Sequence, residues 1–420
     1  MSRSSWKTVL RGPAGQVAAG SGLSAAVGFV VLIVAARSLA PAENTVFLTF
    51  WSMLLTGFGV LGGLSTEAIR SVSLAARGAR SRHGGADVRR TSLLAAGAIW
   101  GAVLGGVVAV VCLLGREALL GADWPVLAAA LVVAMVLGSG WAVVVGGLGG
   151  RGRWSVFAAM TGCDALLRLA VVAVLTSSGA GSTAMAIGVA VTPGIWVIAL
   201  SASASVRRAA RAEAPARLTQ VLALDAHAIA AAASSAVLVA GLPLLIALTA
   251  GEGEGGVEGL GALMLAVTLV RAPLLVPLTA FQGLIVRRAA LQPEGVERML
   301  AWAGAGLAAV AVLGTGAAAA WGEGVLRWVS GVGVPGLALA TLVPGAAALA
   351  GLTLTGALAL ARSRHRRATA GWLVAAVVTG GALCLPLPLE LRVAGATFVG
   401  PVAGIVVHQV KWIRLHSAEH

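Results

Sequence analysis

The chain has 420 residues, 58% of them hydrophobic and only 11% charged, with a formal net charge of +14. That composition excludes an ordinary soluble domain. A nucleic-acid partner, the usual meaning of such basicity, is not expected either: the basic residues are spread over seven short segments with no aromatic stacking platform, so topology and anionic membrane lipids account for them.

Twelve apolar segments follow one another at 15–36, 44–65, 92–114, 124–147, 155–177, 183–203, 226–250, 259–286, 299–320, 335–361, 369–388 and 393–410. A helix crosses a bilayer core of about 30 Å with about 20 apolar residues. The first segment follows a basic start but has 22 residues, too many for the apolar region of a signal peptide, so it reads as a span. Basic residues in short loops stay on the cytoplasmic side. With the N-terminus inside, the cytoplasmic segments carry 24 of the 30 Lys and Arg residues. They include Arg70 to Arg90, Arg151 and Arg153, Arg207 to Arg217, and Arg362 to Arg367. The outer loops carry only Arg37, Arg116, Arg327 and Arg392. The expected fold class is therefore an all-α polytopic membrane protein of about twelve transmembrane helices, with both termini cytoplasmic.

Residues 204–220 form a charged segment with six spans before it and six after. Six is even, so both halves enter the membrane in the same orientation, as a parallel repeat requires. The expected division is 1–212 and 213–420. No phosphate-binding loop, zinc motif or nucleophile elbow occurs, so no cofactor, metal or catalytic activity is expected. Cys112, Cys163 and Cys384 lie in spans without ligand spacing. Gly101 and Gly105, one helical turn apart, read as a close helix contact.

An ionised side chain at the bilayer centre costs roughly 2.5–3.5 kcal/mol on insertion scales, so it faces the bundle interior or a wet cavity. Asp164 and Arg168 lie mid-way along the fifth span, four residues apart on one helix face. They read either as a structural ion pair or as a charged patch in which Arg168 takes an anion. Arg271 sits centrally in the eighth span without a local partner, and Pro273 and Pro277 follow it. Each proline removes a backbone donor, so that helix is expected to break there. Arg271 then reads as a substrate or gating residue, or as the partner of Asp164. Glu67 and Arg70, three apart, read as a surface pair and as secondary candidates; Arg37 is another, able to snorkel to the outer interface. Asp225 reads as a helix N-cap.

Four stretches carry a resemblance. Ala35–Glu43 (AARSLAPAE) is similar to the Ala-Arg-x-Leu-Gly-Pro turn of polysaccharide exporters, with Ala40 at the usual glycine. Gly62–Arg70 (GGLSTEAIR) resembles their Gly-rich, Glu-x-x-Arg ending of the second span. Asp164–Val172 (DALLRLAVV) and Thr268–Gln282 (TLVRAPLLVPLTAFQ) are similar to helices of the same exporters. The chain thus resembles the polysaccharide-flippase branch of the multidrug, oligosaccharidyl-lipid and polysaccharide exporter superfamily. The resemblance implies two six-helix lobes around a central cavity in the bacterial cytoplasmic membrane. It implies a lipid-linked anionic glycan of the polyprenyl diphosphate type as cargo, moved by alternating access without nucleotide hydrolysis. Arg271, Arg168 and Asp164 would be the substrate-binding residues, the guanidinium fork suiting phosphate. One alternative is a drug or cation antiporter of the same superfamily, which needs a titratable acid. The other is a non-transporting scaffold for glycan-synthesis enzymes, which would need longer cytoplasmic docking segments than these.

Overall fold

The computed structural model describes residues 12–81, 90–251, 256–291, 296–331, 333–361 and 364–409. Among these the chain is helical, with one two-residue strand pair. Pro13 opens α1 (Pro13–Ser38), which is 26 residues long. The next helix, α2 (Pro41–Ser81), starts at Pro41, and the Glu43 carboxylate accepts the Ala40 N–H at 3.3 Å. A proline in the first turn and an acid at the positive helix end both favour initiation there. Then come α3 (Leu93–Leu120), α4 (Trp124–Gly150), α5 (Trp154–Ser177) and α6 (Ser182–Val191). A tight 3-10 turn at Thr192–Gly194, built around Pro193, separates α6 from α7 (Ile195–Ala202), and α8 (Ala204–Ala210) follows.

The later helices are α9 (Leu218–Val239), α10 (Leu242–Thr249), α11 (Gly256–Leu291), α12 (Val296–Ala317), α13 (Glu323–Ser330), α14 (Gly336–Ala361), α15 (His365–Leu383) and α16 (Leu389–Gln409). Ten helical segments among the described residues are long and apolar enough to cross a membrane, and the shorter apolar helix Gly259–Leu275 joins them. Apolar side chains point outward, with Ile198 70% and Leu313 73% exposed. In water such a surface would drive aggregation; in lipid it is neutral, because acyl chains are as apolar as leucine. The protein is a multi-pass α-helical membrane protein.

The chain forms two compact units: Met1–Ala272 with Gly324–Val334, and Pro273–Glu323 with Pro335–His420. In the first, α1 packs on α5, α3 on α4, and α2 on both α4 and α9. Small residues set these distances: a methyl on Gly97 would lie 2.7 Å from Val143, and one on Gly105 3.3 Å from Val132. Gly101, between them, faces Ser139 more closely still. A methyl on Gly63 of α2 would lie 2.5–2.6 Å from the Ala228–Ile229 backbone of α9. That approach binds α9 to the helices before it, and this compact division falls within α11. The strand pair Thr91–Ser92 with Glu213–Ala214 fastens the segments leading into α3 and α9, and the Thr91 hydroxyl donates to the Ala216 carbonyl at 2.7 Å. In the second unit α14 and α15 pack on α16. His408 pins all three: its Nε2–H donates to the Ala368 carbonyl at 3.0 Å, and Nδ1 accepts from the Thr355 hydroxyl at 2.9 Å.

Both chain ends, and with them the expected cytoplasmic termini, lie outside the described residues. Cysteines introduced singly at residues 85, 210 and 365 are expected to react only with reagent on the cytoplasmic side. Those at 253 and 323 should react only from outside. Outside labelling at residue 420 would rule out an even span count.

Candidate functional site

Two helix breaks in the first unit are each braced by a buried arginine. At the first, Arg168 of α5 is 6% exposed and pairs with Asp164 one turn away, Nη2 to Oδ2 at 2.7 Å. Its Nε–H donates to the Thr192 hydroxyl at 3.4 Å, in the 3-10 turn between α6 and α7. The guanidinium carbon lies 5.8 Å from the Trp51 ring centroid, and Trp51 stacks on Phe47 at 5.9 Å. A cation over an indole face gains about 0.5–2 kcal/mol. The second Asp164 oxygen is buried without a hydrogen-bond partner. An ionised carboxylate with a free lone pair in the dry interior is costly, and it leaves a vacant acceptor beside a cation.

At the second break, α9 ends at Val239 and α10 restarts at Leu242. Gly241 and Pro243 explain the interruption, since Pro243 cannot donate to the preceding turn. Ser52 of α2 bridges the gap: its hydroxyl donates to the Ala240 carbonyl at 2.7 Å and accepts the Leu244 N–H at 3.2 Å. Arg271, 6% exposed, donates from Nη1 to the Leu238 carbonyl at 3.1 Å. A cation at the C-terminal end of a helix is favoured by the helix dipole. No carboxylate among the described residues pairs with Arg271.

The structure therefore corrects two expectations about the eighth span. The helix does not break at Pro273 and Pro277; α11 runs unbroken from Gly256 to Leu291. The interruption beside Arg271 belongs to the preceding span, where a glycine and a proline fall together. Arg271 and Asp164 do not bond: Asp164 pairs with Arg168 one turn away, and Arg271 donates to the Leu238 carbonyl. Trp51 and Ser52, consecutive residues of α2, serve one break each.

The secondary candidates are distributed differently. Glu67 is no surface residue: it is 6% exposed, and Arg70 grips both its oxygens at 2.6 and 2.8 Å while Ser71 donates at 2.9 Å. Sequence spacing identified the pair but not its burial, which comes from the close α2–α9 crossing at Gly63. Asp225 is no N-cap: Arg217 occupies that position, and Asp225 is the eighth residue of α9, 4% exposed. The segment Leu218–Leu224 extends the helix ahead of the apolar run that marked its start. Arg37 donates to the Trp328 carbonyl in α13. Beyond the spans, burial and the neighbouring Arg208 lower the pKa of Arg151 from its ordinary value. An open groove of about 590 Å³ between α5 and α6, lined by Val171, Val174, Ile187 and Gly188, is apolar throughout and lies away from the charged groups.

No family model matches the chain. Its fold is that of the MATE-type transporters of the MOP superfamily. An inward-facing multidrug resistance MATE family transporter superposes with a TM-score of 0.66 over 92% of this chain and 93% of that one, at 15% identity. A MATE transporter of Vibrio cholerae gives 0.60 over 96% and 97%, at 16% identity. A MOP superfamily transporter from Pyrococcus furiosus, described as having a binding pocket of reverse polarity that suggests a different function, gives 0.56 over 95% and 96%, at 16% identity.

Sequence relatives place the chain more narrowly. It is 35% identical over 412 residues to the uncharacterized protein Rv1510 of Mycobacterium tuberculosis (strain ATCC 25618 / H37Rv), covering 95% of this chain and 91% of that protein. Against the uncharacterized protein Rv3630 of the same strain it is 34% identical over 415 residues, with 97% and 93% covered. The chain belongs to the family of these mycobacterial proteins.

Proposed function

We propose that this chain is a transporter of the bacterial cytoplasmic membrane that moves a lipid-linked anionic glycan, of the polyprenyl diphosphate type, by alternating access between its two six-span halves, 1–212 and 213–420. The observation that carries the reading is Arg271: a buried cation in a membrane span, without an acid among the described residues, resting on the backbone carbonyl of an interrupted helix. Placing a charge there costs several kcal/mol without a compensating role, and interrupted spans are where transporters build their binding sites. A guanidinium held through one nitrogen keeps further donors for a phosphate. Arg168 supplies a second cation, and the fold likeness supports transport of some kind.

A drug or cation antiporter is the second reading. Two of the structural neighbours above are described as MATE transporters, one of them a multidrug resistance protein, and Glu67 and Asp225 are the buried acids such a carrier needs. The deciding experiment uses the purified protein in liposomes. A fluorescently labelled polyprenyl-diphosphate oligosaccharide is loaded in the inner leaflet, and its appearance outside is read by quenching with an impermeant reductant. Appearance well above that in protein-free liposomes is expected. No appearance, together with ethidium uptake driven by a proton gradient, would replace the glycan reading with the antiporter.

A further inference from the structure

Glu67 and Asp225 flank one close helix contact in the first unit. Gly63 of α2 touches the Ala228–Ile229 backbone of α9. Glu67 lies one turn beyond Gly63 on α2, and Asp225 lies one turn before Ala228 on α9. The two helices enter the membrane from opposite ends on the twelve-span topology, so the two residues fall at a similar depth. Both are buried, at 6% and 4% exposure. Their surroundings differ. Glu67 is saturated by Arg70 on two oxygens and by the Ser71 hydroxyl. No described residue donates a hydrogen bond to Asp225.

The other charged groups near α9 do not compensate. On α9 itself, His227 is exposed, with Nδ1–H donating to the Ala223 carbonyl. Arg217 caps the helix start two turns away. Arg271 bonds to Leu238 at the opposite end. Packed against α9, α2 contributes only Glu67 and Arg70 near this level, α3 carries Arg116 and Glu117 near its far end, and α10 has no charged residue. Two buried acids, each one turn from the same helix contact, cannot both stay ionised cheaply. With Arg70 committed to Glu67, one negative charge is neutralised and the other is not.

We infer that Glu67 and Asp225 form a proton-binding pair, Asp225 carrying the proton, and that its occupancy sets how closely α2 packs on α9. Loss of the proton leaves an unpaired anion against Glu67 at a contact with no slack, because Gly63 already brings the backbones together. The helices must separate or admit water. Within the transporter reading, on which this further step rests, the pair is the coupling device: α2 braces the α9–α10 break through Ser52 and the α6–α7 break through the Trp51–Arg168 contact.

Dicyclohexylcarbodiimide provides the test, since it modifies neutral carboxylic acids in apolar surroundings and spares carboxylates. The full-length protein in nanodiscs is labelled between about pH 6 and about pH 9, bracketing the range in which a buried acid titrates, and the modified residue is found by mass spectrometry. Asp225 is expected to label near neutrality and to lose labelling as the pH rises. E67Q, which removes the repelling charge, should move that loss to lower pH, and D225N should abolish it. Hydrogen–deuterium exchange in α2 and α9 should rise with pH in the wild type and stay flat in D225N. Asp225 unlabelled at neutral pH, or exchange equal at both ends of the range, overturns the inference. If E67Q fails to accumulate, the wild-type profile and D225N still decide. No substrate is used, so failure of glycan transport and failure of the proton pair are read separately.

Discussion

Arg271→Ala is expected to insert and accumulate but to transport labelled polyprenyl-diphosphate glycan at least about 100-fold more slowly than the wild type. The estimate follows from losing two charge-assisted hydrogen bonds to phosphate, each worth roughly 1.5–3 kcal/mol, where about 1.4 kcal/mol is a factor of ten. Arg271→Lys keeps the positive charge beside the Leu238 carbonyl but loses the planar fork. It should recover part of the rate, about tenfold above the alanine variant, on the same scale. A purely structural Arg271 would show the opposite pattern. Its loss would lower thermal stability by unfastening the α9–α10 break, and any protein that still folded would transport normally. The combined change Arg271→Ala with Asp164→Ala is expected to be worse than either alone, because Asp164 is bonded to Arg168. Recovery of transport in that double variant would overturn the substrate role.

The second large effect belongs to the Asp164–Arg168 pair. Asp164→Leu leaves Arg168 buried and unpaired, and breaking one partner of a buried ion pair costs about 3–5 kcal/mol. The variant should accumulate poorly and lose most of its thermal transition. Adding Arg168→Met removes the stranded charge and should restore accumulation to near wild type, since replacing both members of such a pair is close to neutral. Transport then separates the roles of the pair. If Arg168 contacts the anionic headgroup, the double variant is folded and inactive; if the pair only locks α5 against the α6–α7 turn, it is folded and active. The glycan reading expects the inactive outcome, measured with the same leaflet assay.

The buried charges of the fifth and eighth spans were legible from depth alone. Asp164, Arg168 and Arg271 announce themselves because a charge in an apolar run has to be explained, and all three are buried. The i,i+4 spacing correctly paired the first two. What each arginine touches was not legible. Thr192 lies 24 residues from Arg168, and Leu238 lies 33 residues from Arg271. Neither a hydroxyl nor a backbone carbonyl carries a sequence signal for such a contact. Proline was read in the wrong span for the same reason. Pro273 and Pro277 sit inside a continuous helix, whereas Pro193 and Pro243 mark real interruptions. In a membrane, neighbouring helices can satisfy the groups a proline frees, so a proline alone does not determine where a helix ends.

Hydropathy and the distribution of arginine determined the class of this protein, because lipid tolerates only structures that satisfy every backbone group internally, and twenty apolar residues have few other uses. The Gly62–Arg70 stretch shows the limit. Its residues stood out in the sequence, yet Glu67 read as a surface acid and Asp225, 158 positions further on, as a helix cap. Only the tertiary structure showed that both are buried. Burial in a helical membrane protein depends on which helix faces which, and between apolar helices that choice is made by packing of small residues such as Gly63 against a partner far away in the chain. A local pattern of hydrophobicity, identical on lipid-facing and helix-facing sides, carries no record of it.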